Sequence, residues 1–453
     1  MSDYSAEDTS PLEEIPGLMA RQCAMLAIDD LLVRSLPLDE SLDRILSTPE
    51  GKTLSERDRG LARAIAMAAT RRLGTIGDAL MSRLEKGLPN HSGRLESILV
   101  AGVAQLLYLD VPDHAAVDLS VRLVQADPEA RRFIKLANGL LRTIARERET
   151  ILANDDPLHR DTPEWLAQKW VKAYGEDTAK KIASANMQEA SVDITVKQDA
   201  ALWAERLDGV VLPTGSLRLK GRTNITALPG YTDGAWWVQD AAAALPAMLL
   251  NVKPGEKIAD LCAAPGGKTA QLAHTRAEIV AIDRSAKRLE RLSENMRRLE
   301  LSVETVAIDA LAYQGGPFDA ILLDAPCTAT GTIRRHPDVA WTKELVDLQK
   351  LTSLQARLLK KAVDMLKSGG RLIYCTCSLE PEEGELQITA LLETDDRIKR
   401  APFNRNDMAL LGPELSRAIN GRGELRTLPY MLPNEDARLQ GIDGFFAARL
   451  IRS

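Results

Sequence analysis

Aromatic residues are scarce in this chain of 453 residues: Phe, Tyr and Trp make up 4%, so Leu, Ile, Val, Ala and Met must do most of the packing. Cysteine is sparse as well, and five thiols over this length do not make a disulfide framework. None stands in a CxxC pair and only five histidines accompany them, so no metal site is expected. Long apolar runs are missing too. The longest, Ala241 to Leu250, is too short to span a bilayer and contains Pro246. The N-terminal stretch MSDYSAEDTSPLEEIPG is acidic and has no basic region followed by an apolar one, which argues against a signal peptide. A soluble cytoplasmic protein with reduced thiols is therefore expected. A net charge of −6 speaks against a general nucleic-acid coat protein but leaves room for a local basic surface. Internal repeats and low-complexity tracts are absent.

What is present is organisation. The length predicts two or three domains. Residues 15–150 repeat apolar positions at three- and four-residue steps, as in Leu95, Ile98, Leu99, Val103, Leu106 and Leu107, and predict an all-α domain of about six helices. A polar stretch from Asn154 to Pro163 reads as a linker. Residues 163–235 read as a small α+β segment, with helices over 164–174 and on to Asn186, and strands at 192–196 and 209–212. From 236 to 453 apolar strands alternate with helices. Strands are predicted at 257–261, 279–282, 303–308, 320–323, 371–376 and 445–450, with helices at 286–299 and 345–366. Such alternation makes an α/β domain with a mainly parallel sheet covered on both faces. Two arginine-rich stretches stand out in the helical region. Arg57, Arg59, Arg63, Arg71 and Arg72 face the single acid Asp58, and Arg131, Arg132, Lys135, Arg142 and Arg146 face none. Each reads equally as a solvated helix face or as a phosphate-binding one.

The first strand of the α/β domain runs into Asp260-Leu261-Cys262-Ala263-Ala264-Pro265-Gly266-Gly267-Lys268-Thr269, and a helix follows. Small residues there let a ligand approach backbone N–H groups. A P-loop would need glycine where Cys262 stands, which disfavours an ATP-dependent enzyme, and GxGxxG is absent. A class I (Rossmann-like) methyltransferase needs an acid at the end of the second strand for the ribose hydroxyls, and Asp283 is there. Asp309 ends the third strand, placed for the adenine amino group, and Asp324 ends the fourth. One such aspartate reads as a helix cap; three at successive strand ends favour a nucleoside cofactor.

Cys327 follows the fourth strand, and Cys375 and Cys377 the fifth, so all open onto the cleft of the cofactor loop. Carbon 5 of cytosine is a poor nucleophile, and an enzyme activates it by adding a thiolate to carbon 6. Cysteine suits that step because its ordinary pKa of about 8.5 makes thiolate available near neutrality. A second cysteine serves as base or as its helper, and Asp324 is the natural partner of the ring. On chemistry alone, either cysteine qualifies as the nucleophile.

These motifs resemble the Sun family of RNA cytosine-5 methyltransferases. The 260–269 run is similar to its cofactor motif. Asp324-Ala325-Pro326-Cys327-Thr328 with Gly331 and Arg334-Arg335-His336-Pro337-Asp338 is similar to its fourth motif, and Thr376-Cys377-Ser378 with Pro381-Glu382-Glu383 to its sixth. The resemblance implies S-adenosylmethionine as cofactor, held by Cys262, Ala263, Ala264, Pro265, Gly266, Gly267 and Lys268 with Asp283, Asp309 and Asp324. It also implies Cys377 as nucleophile, with Cys327 assisting product release and Asp324 serving the ring. Two departures stand out: Cys375 replaces a usual small residue, adding a second candidate nucleophile, and Gly384 replaces a common Asn. Leu106-Leu107-Tyr108-Leu109, Val111-Pro112-Asp113-His114-Ala115-Ala116-Val117 and Ala137-Asn138-Gly139-Leu140-Leu141-Arg142 resemble the NusB-type RNA-binding helical domain. That domain joined to a Sun-type half implies action on RNA, 16S ribosomal RNA first, and inclines both arginine stretches towards RNA; a monomer with no membrane and no metal is expected beside it. The same chemistry on transfer RNA, and a non-catalytic RNA-binding assembly factor, are the alternatives.

Overall fold

The computed structural model describes residues 15–221 and 224–453, which divide into two compact units. The first holds the chain up to Ala167 together with His336–Thr342; the second holds Gln168–Arg335 and Lys343–Ser453.

The first unit is helical because its apolar residues fall on stripes that one core can bury. The helix Leu95–Tyr108 is apolar all round, and twelve of its fourteen residues are buried. The helices Leu18–Arg34, Glu56–Arg71, Asp113–Ala126 and Ile134–Arg146 pack on the same core. Ile134–Arg146 buries only Ala137, Leu140, Leu141 and Ile144, a single stripe. Among the described residues nine α-helices lie between Leu18 and Ala153, where about six are expected. The surplus includes pieces such as Pro49–Thr53 and Arg148–Ala153, too short to show a period. The polar stretch after Ala153 is not a free linker. Leu158 and Asp161 are buried, and Asp161 accepts from the Thr75 amide and hydroxyl, each at 2.8 Å. Its charges also find local partners, Arg72 with Asp155 and Arg160 with Asp78. His336–Thr342 is held within this unit by Asp338, which accepts from the Leu38 amide, and by Trp341, which donates to the Thr70 carbonyl.

The second unit contains two sheets. Strands β1 (Asp193–Val196), β2 (Gly209–Val211), β3 (Leu217–Leu219) and β4 (Trp236–Val238) form an antiparallel sheet in the order β2-β3-β1-β4. Ile194, Leu217, Leu219 and Trp236 make its core. The larger sheet uses β5 (Lys257–Leu261), β6 (Glu278–Asp283), β7 (Glu304–Ala307), β8 (Phe318–Asp324), β9 (Leu366–Thr376), β10 (Ile398–Arg400), β11 (Leu425–Thr427) and β12 (Phe445–Arg452). Its main path is β10-β12-β9-β8-β5-β6-β7, with β11 paired to β12. The five strands β7-β6-β5-β8-β9 are parallel, and the pairings of β12 are antiparallel. All six predicted strands are present within a few residues, while β10 and β11, three residues each, carry no sequence period to read. Helices cover both faces. Ala241–Leu250 packs against one side of β5, β8 and β9, and Leu345–Met365 against the other. Strand order reverses between β5 and β8, so the C-terminal ends of these strands open a crevice at the switch point.

Candidate active site

The loop after β5 turns sharply. Cys262 takes a φ of 61° and Gly266 one of 103°, and the helix Gly267–His274 starts immediately after. Glycine is required at 266 twice over: the φ is left-handed, and a Cβ would lie 2.7 Å from the Leu292 side chain. Asp283, at the end of β6, latches the loop. One of its oxygens accepts from the Ala264 amide at 3.2 Å and the other from Ser285 at 2.9 Å. Asp309 lies just beyond β7, is exposed, and accepts from the Leu311 amide at 2.9 Å.

Asp260 heads the 260–269 run, where motif reading gives it no task of its own. It is 1% exposed; Thr269 donates to its Oδ2 at 2.6 Å, while Oδ1 has no partner among the described residues. Burial, with further help from Asp324 and Asp283, pushes its carboxyl up to about 7. Burial, followed by Asp324, Asp283 and Asp260, likewise pushes the Cys262 thiol up to about 12. Lys268 donates to Asp324 at 2.8 Å. Burial pulls that ammonium down, but Asp324 more than offsets it and Lys268 ends above its ordinary value. Three carboxylates, Asp260, Asp283 and Asp324, thus gather against two cations, Lys268 and the exposed Arg288 that lies 3.4 Å from Asp283, with an orphaned oxygen among them. Such a deficit of positive charge suits a cationic ligand, as a sulfonium with its amino-acid ammonium is.

The cysteines meet at the neighbouring strand ends. Parallel pairing of β8 and β9 sets Asp324 beside Cys375, and the Ala325 amide donates to the Cys375 carbonyl at 3.0 Å. The sulfurs of Cys327 and Cys377 lie 3.5 Å apart, and Cys375 Sγ is 3.6 Å from Asp324. The hydrogen bond with Cys377, and then burial, raise the Cys327 thiol; burial, and then Asp324, raise that of Cys375. Both therefore hold their protons at neutral pH.

Two glutamates brace this arrangement. Glu383 is buried and accepts from the Thr328 amide at 3.0 and 3.1 Å and from Gln355 at 2.9 Å, which fixes the chain just after Cys327. Glu380, also buried, accepts from Ser378 at 2.7 Å, from Trp170 at 3.2 Å and from Thr330. The two cysteine loops touch backbone to backbone, because the Gly331 amide donates to the Cys377 carbonyl at 2.9 Å and Gly444 donates to Gly331 at 2.8 Å. A Cβ on Gly331 would stand 1.9 Å from the Gly444 oxygen, so only glycine permits this approach. Gly384 has a physical reason as well. A side chain there would meet the Arg426 guanidinium at 2.5 Å and the Phe446 ring at 2.9 Å, and Arg426 is already committed to Glu385 and the Ser378 carbonyl.

In the first unit the two arginine stretches separate. Arg59 donates to the Leu54 and Lys52 carbonyls, Arg63 pairs with Asp39 at 2.9 Å, Arg72 pairs with Asp155 at 2.7 Å, and Arg71 is buried. That stretch is largely spent inside the unit. Arg131, Arg132, Lys135, Arg142 and Arg146 are all exposed. Arg132 donates to His91, Arg142 to Asn138 and Arg146 to Thr143, all neutral partners that leave the charge uncompensated.

Comparison with known proteins agrees with both halves. Residues 18–146 match the model of the NusB family, and residues 247–451 match that of 16S rRNA methyltransferase RsmB/F. The ribosomal RNA small subunit methyltransferase B of Pseudomonas putida is 36% identical over 88% of this chain and 92% of its own. Its counterpart from Serratia proteamaculans is 34% identical over 95% and 98%. Among solved structures, the protein PH0851 superposes with a TM-score of 0.75 over 97% of this chain and 99% of its own at 22% identity, a likeness of fold. A methyltransferase homolog from Pyrococcus horikoshii gives a TM-score of 0.52 at 29% identity over 64% of this chain and 95% of its own. With a helical NusB-type part, a Rossmann-like methyltransferase part and relatives matched almost end to end, this chain belongs to the ribosomal RNA small subunit methyltransferase B family.

Proposed function

We propose that the protein methylates carbon 5 of a cytosine in 16S ribosomal RNA through a transient bond between Cys377 and carbon 6 of the base. The observation that carries the reading is the pair of sulfurs, Cys327 and Cys377, 3.5 Å apart at the strand ends beside Asp324. S-adenosylmethionine is the cofactor, and it supplies the methyl group as an electrophile on a sulfonium sulfur. Residues 262–268 with Asp283, Asp309 and Asp324 are proposed to hold it.

The chain's own residues then have distinct tasks. A Cys377 thiolate adds to carbon 6, and the electron pair pushed to carbon 5 makes that carbon the attacking atom. Asp324, with Lys268 beside it, is proposed to accept from the exocyclic amino group and from the N3–H that forms when N3 takes a proton from water during the addition, a proton it returns to water on release. A base then removes the carbon-5 proton, the pair reforms the ring double bond, and the C6–S bond breaks. Cys327 is proposed to assist this release. Its raised thiol pKa keeps a proton available for an S–H···S bond to Cys377, and makes its thiolate, once formed, the stronger base. The division into 15–150, 163–235 and 236–453 is proposed as the working domain plan, supported by the separate cores of the helical unit, the small sheet and the large sheet.

Incubation with methyl-labelled S-adenosylmethionine and protein-free 16S ribosomal RNA tests this. Wild type is expected to yield 5-methylcytosine, Cys377→Ala to lose it, and Cys327→Ala to accumulate a covalent protein–RNA adduct. Activity that survives in Cys377→Ala but not in Cys327→Ala reverses the two roles. Label from wild type on transfer RNA alone moves the substrate.

A further inference from the structure

A cavity of about 320 Å³ lies in the second unit between the helix Glu176–Asn186 and the loop bearing Tyr430 and Gly441. Lys180 and Lys181 stand exposed on the helix side, Lys180 paired with Glu176 one turn earlier at 3.0 Å, a solvent-exposed pair that a phosphate can displace. Arg334, 1% exposed, brings its charge to the inner wall, and Pro429 and Tyr430 give an apolar, ring-bearing wall. Lys181 Nζ sits 5.8 Å from the centre of the Tyr430 ring. Two of these walls lead directly into the catalytic loops. Arg334 is three residues past Gly331, which donates to the Cys377 carbonyl, and Gly441 is three residues before Gly444, which donates to Gly331.

We propose that this cavity is a nucleotide subsite that takes an unpaired RNA nucleotide near the target cytosine. The base lies against Tyr430 and Pro429, and the phosphate meets Lys180 and Lys181 with Arg334 behind them. An aromatic face accepts any base by stacking, and lysines bind phosphate as compact point charges. The volume is at the small end of ligand pockets, roughly 300–1,000 Å³, which suits one nucleotide rather than a folded element. A pulled-out target base leaves its neighbours unstacked, and a subsite for one of them offsets part of that cost. The identity of the ligand as RNA rests on the proposed function.

The test compares full-length wild type, Tyr430→Leu and the double variant Lys180→Gln with Lys181→Gln. Two quantities are measured: affinity for a fluorescein-labelled single-stranded RNA dodecamer, and KM for protein-free 16S ribosomal RNA in methyl transfer. Tyr430→Leu is expected to bind the dodecamer about five- to 150-fold more weakly, the range that lost base stacking gives, the double lysine variant to weaken binding through lost phosphate contact, and both to raise KM in step. The kcat at saturating RNA and the affinity for S-adenosylmethionine stay at wild-type values. Unchanged affinity and KM in the two variants overturn the subsite, and so does a wild type that binds no RNA. If the variants lose dodecamer binding while even wild type methylates no 16S ribosomal RNA, the subsite stands and the proposed function falls. The lysine pair is exposed, so its result stands even if Tyr430→Leu disturbs folding.

Discussion

Asp260 concentrates the electrostatic conflict of the site in one side chain. Its carboxyl is pushed up to about 7 by burial, against an ordinary value of about 4. Between those two pH values the folded protein holds a proton that the unfolded chain has released. Stability of the ligand-free protein therefore falls as pH rises through that window, by at most about 4 kcal/mol. Asp260→Asn is expected to flatten the fall while keeping the hydroxyl bond from Thr269. Urea unfolding at pH 5 and pH 8 checks this, and equal slopes in wild type and variant contradict it. At this scale the sequence was legible in part. Cys327, Cys375 and Cys377 could be placed at strand ends, because apolar runs ending in small and polar residues mark those ends. That Cys327 and Cys375 stay protonated could not be read, since it depends on burial and on which groups become neighbours. Glu383 was legible only as part of a motif and Glu380 not at all; as buried braces they depend on the chain after β9 and the chain after Cys327 coming together.

At the scale of elements, the small sheet is tied to the large one by charge as well as by packing. Arg218 on β3 makes a bidentate pair with Asp193 on β1, both contacts 2.7 Å, and donates to the Leu439 and Gly441 carbonyls ahead of β12. Arg335 joins the same cluster through Asp240 and Asp443. Burial pushes Asp443 up to about 6 although Arg335 opposes it. Arg218→Met keeps the volume but leaves Asp193 buried without its guanidinium and two carbonyls without donors. It is expected to cost about 3–5 kcal/mol in urea unfolding, and a loss below about 1 kcal/mol would show the pair to be expendable. The strands holding these residues were legible where apolar runs were long, as in β5, β6 and β8. The sheet partners were not, because pairing order between short strands is a property of the assembled unit.

For the whole molecule the question is how an acidic chain holds RNA. The exposed cations on Ile134–Arg146 and the turn before it meet no acid within their own stretch, whereas Arg59, Arg63 and Arg72 are already engaged. RNA affinity is expected to fall with salt, with a logarithmic slope of about −0.7 to −0.9 for each phosphate neutralised. Reversing Lys135 and Arg142 to Glu should reduce that slope by about two phosphates' worth, while Arg63→Gln leaves it unchanged. The reverse pattern in a filter-binding titration would move the contact to the first stretch. By itself the sequence determined the order of the longer helices and strands, the cofactor loop with its glycines, and the three thiols at the strand ends. Those are local properties, written in side-chain period and in the residues a turn demands. Only the tertiary structure decided which arginines remain unspent, that Glu383 fastens Thr328, and that two sulfurs fifty residues apart come within 3.5 Å. Each of these joins residues distant in the chain, and their meeting is set by sheet order and register, which no local pattern encodes.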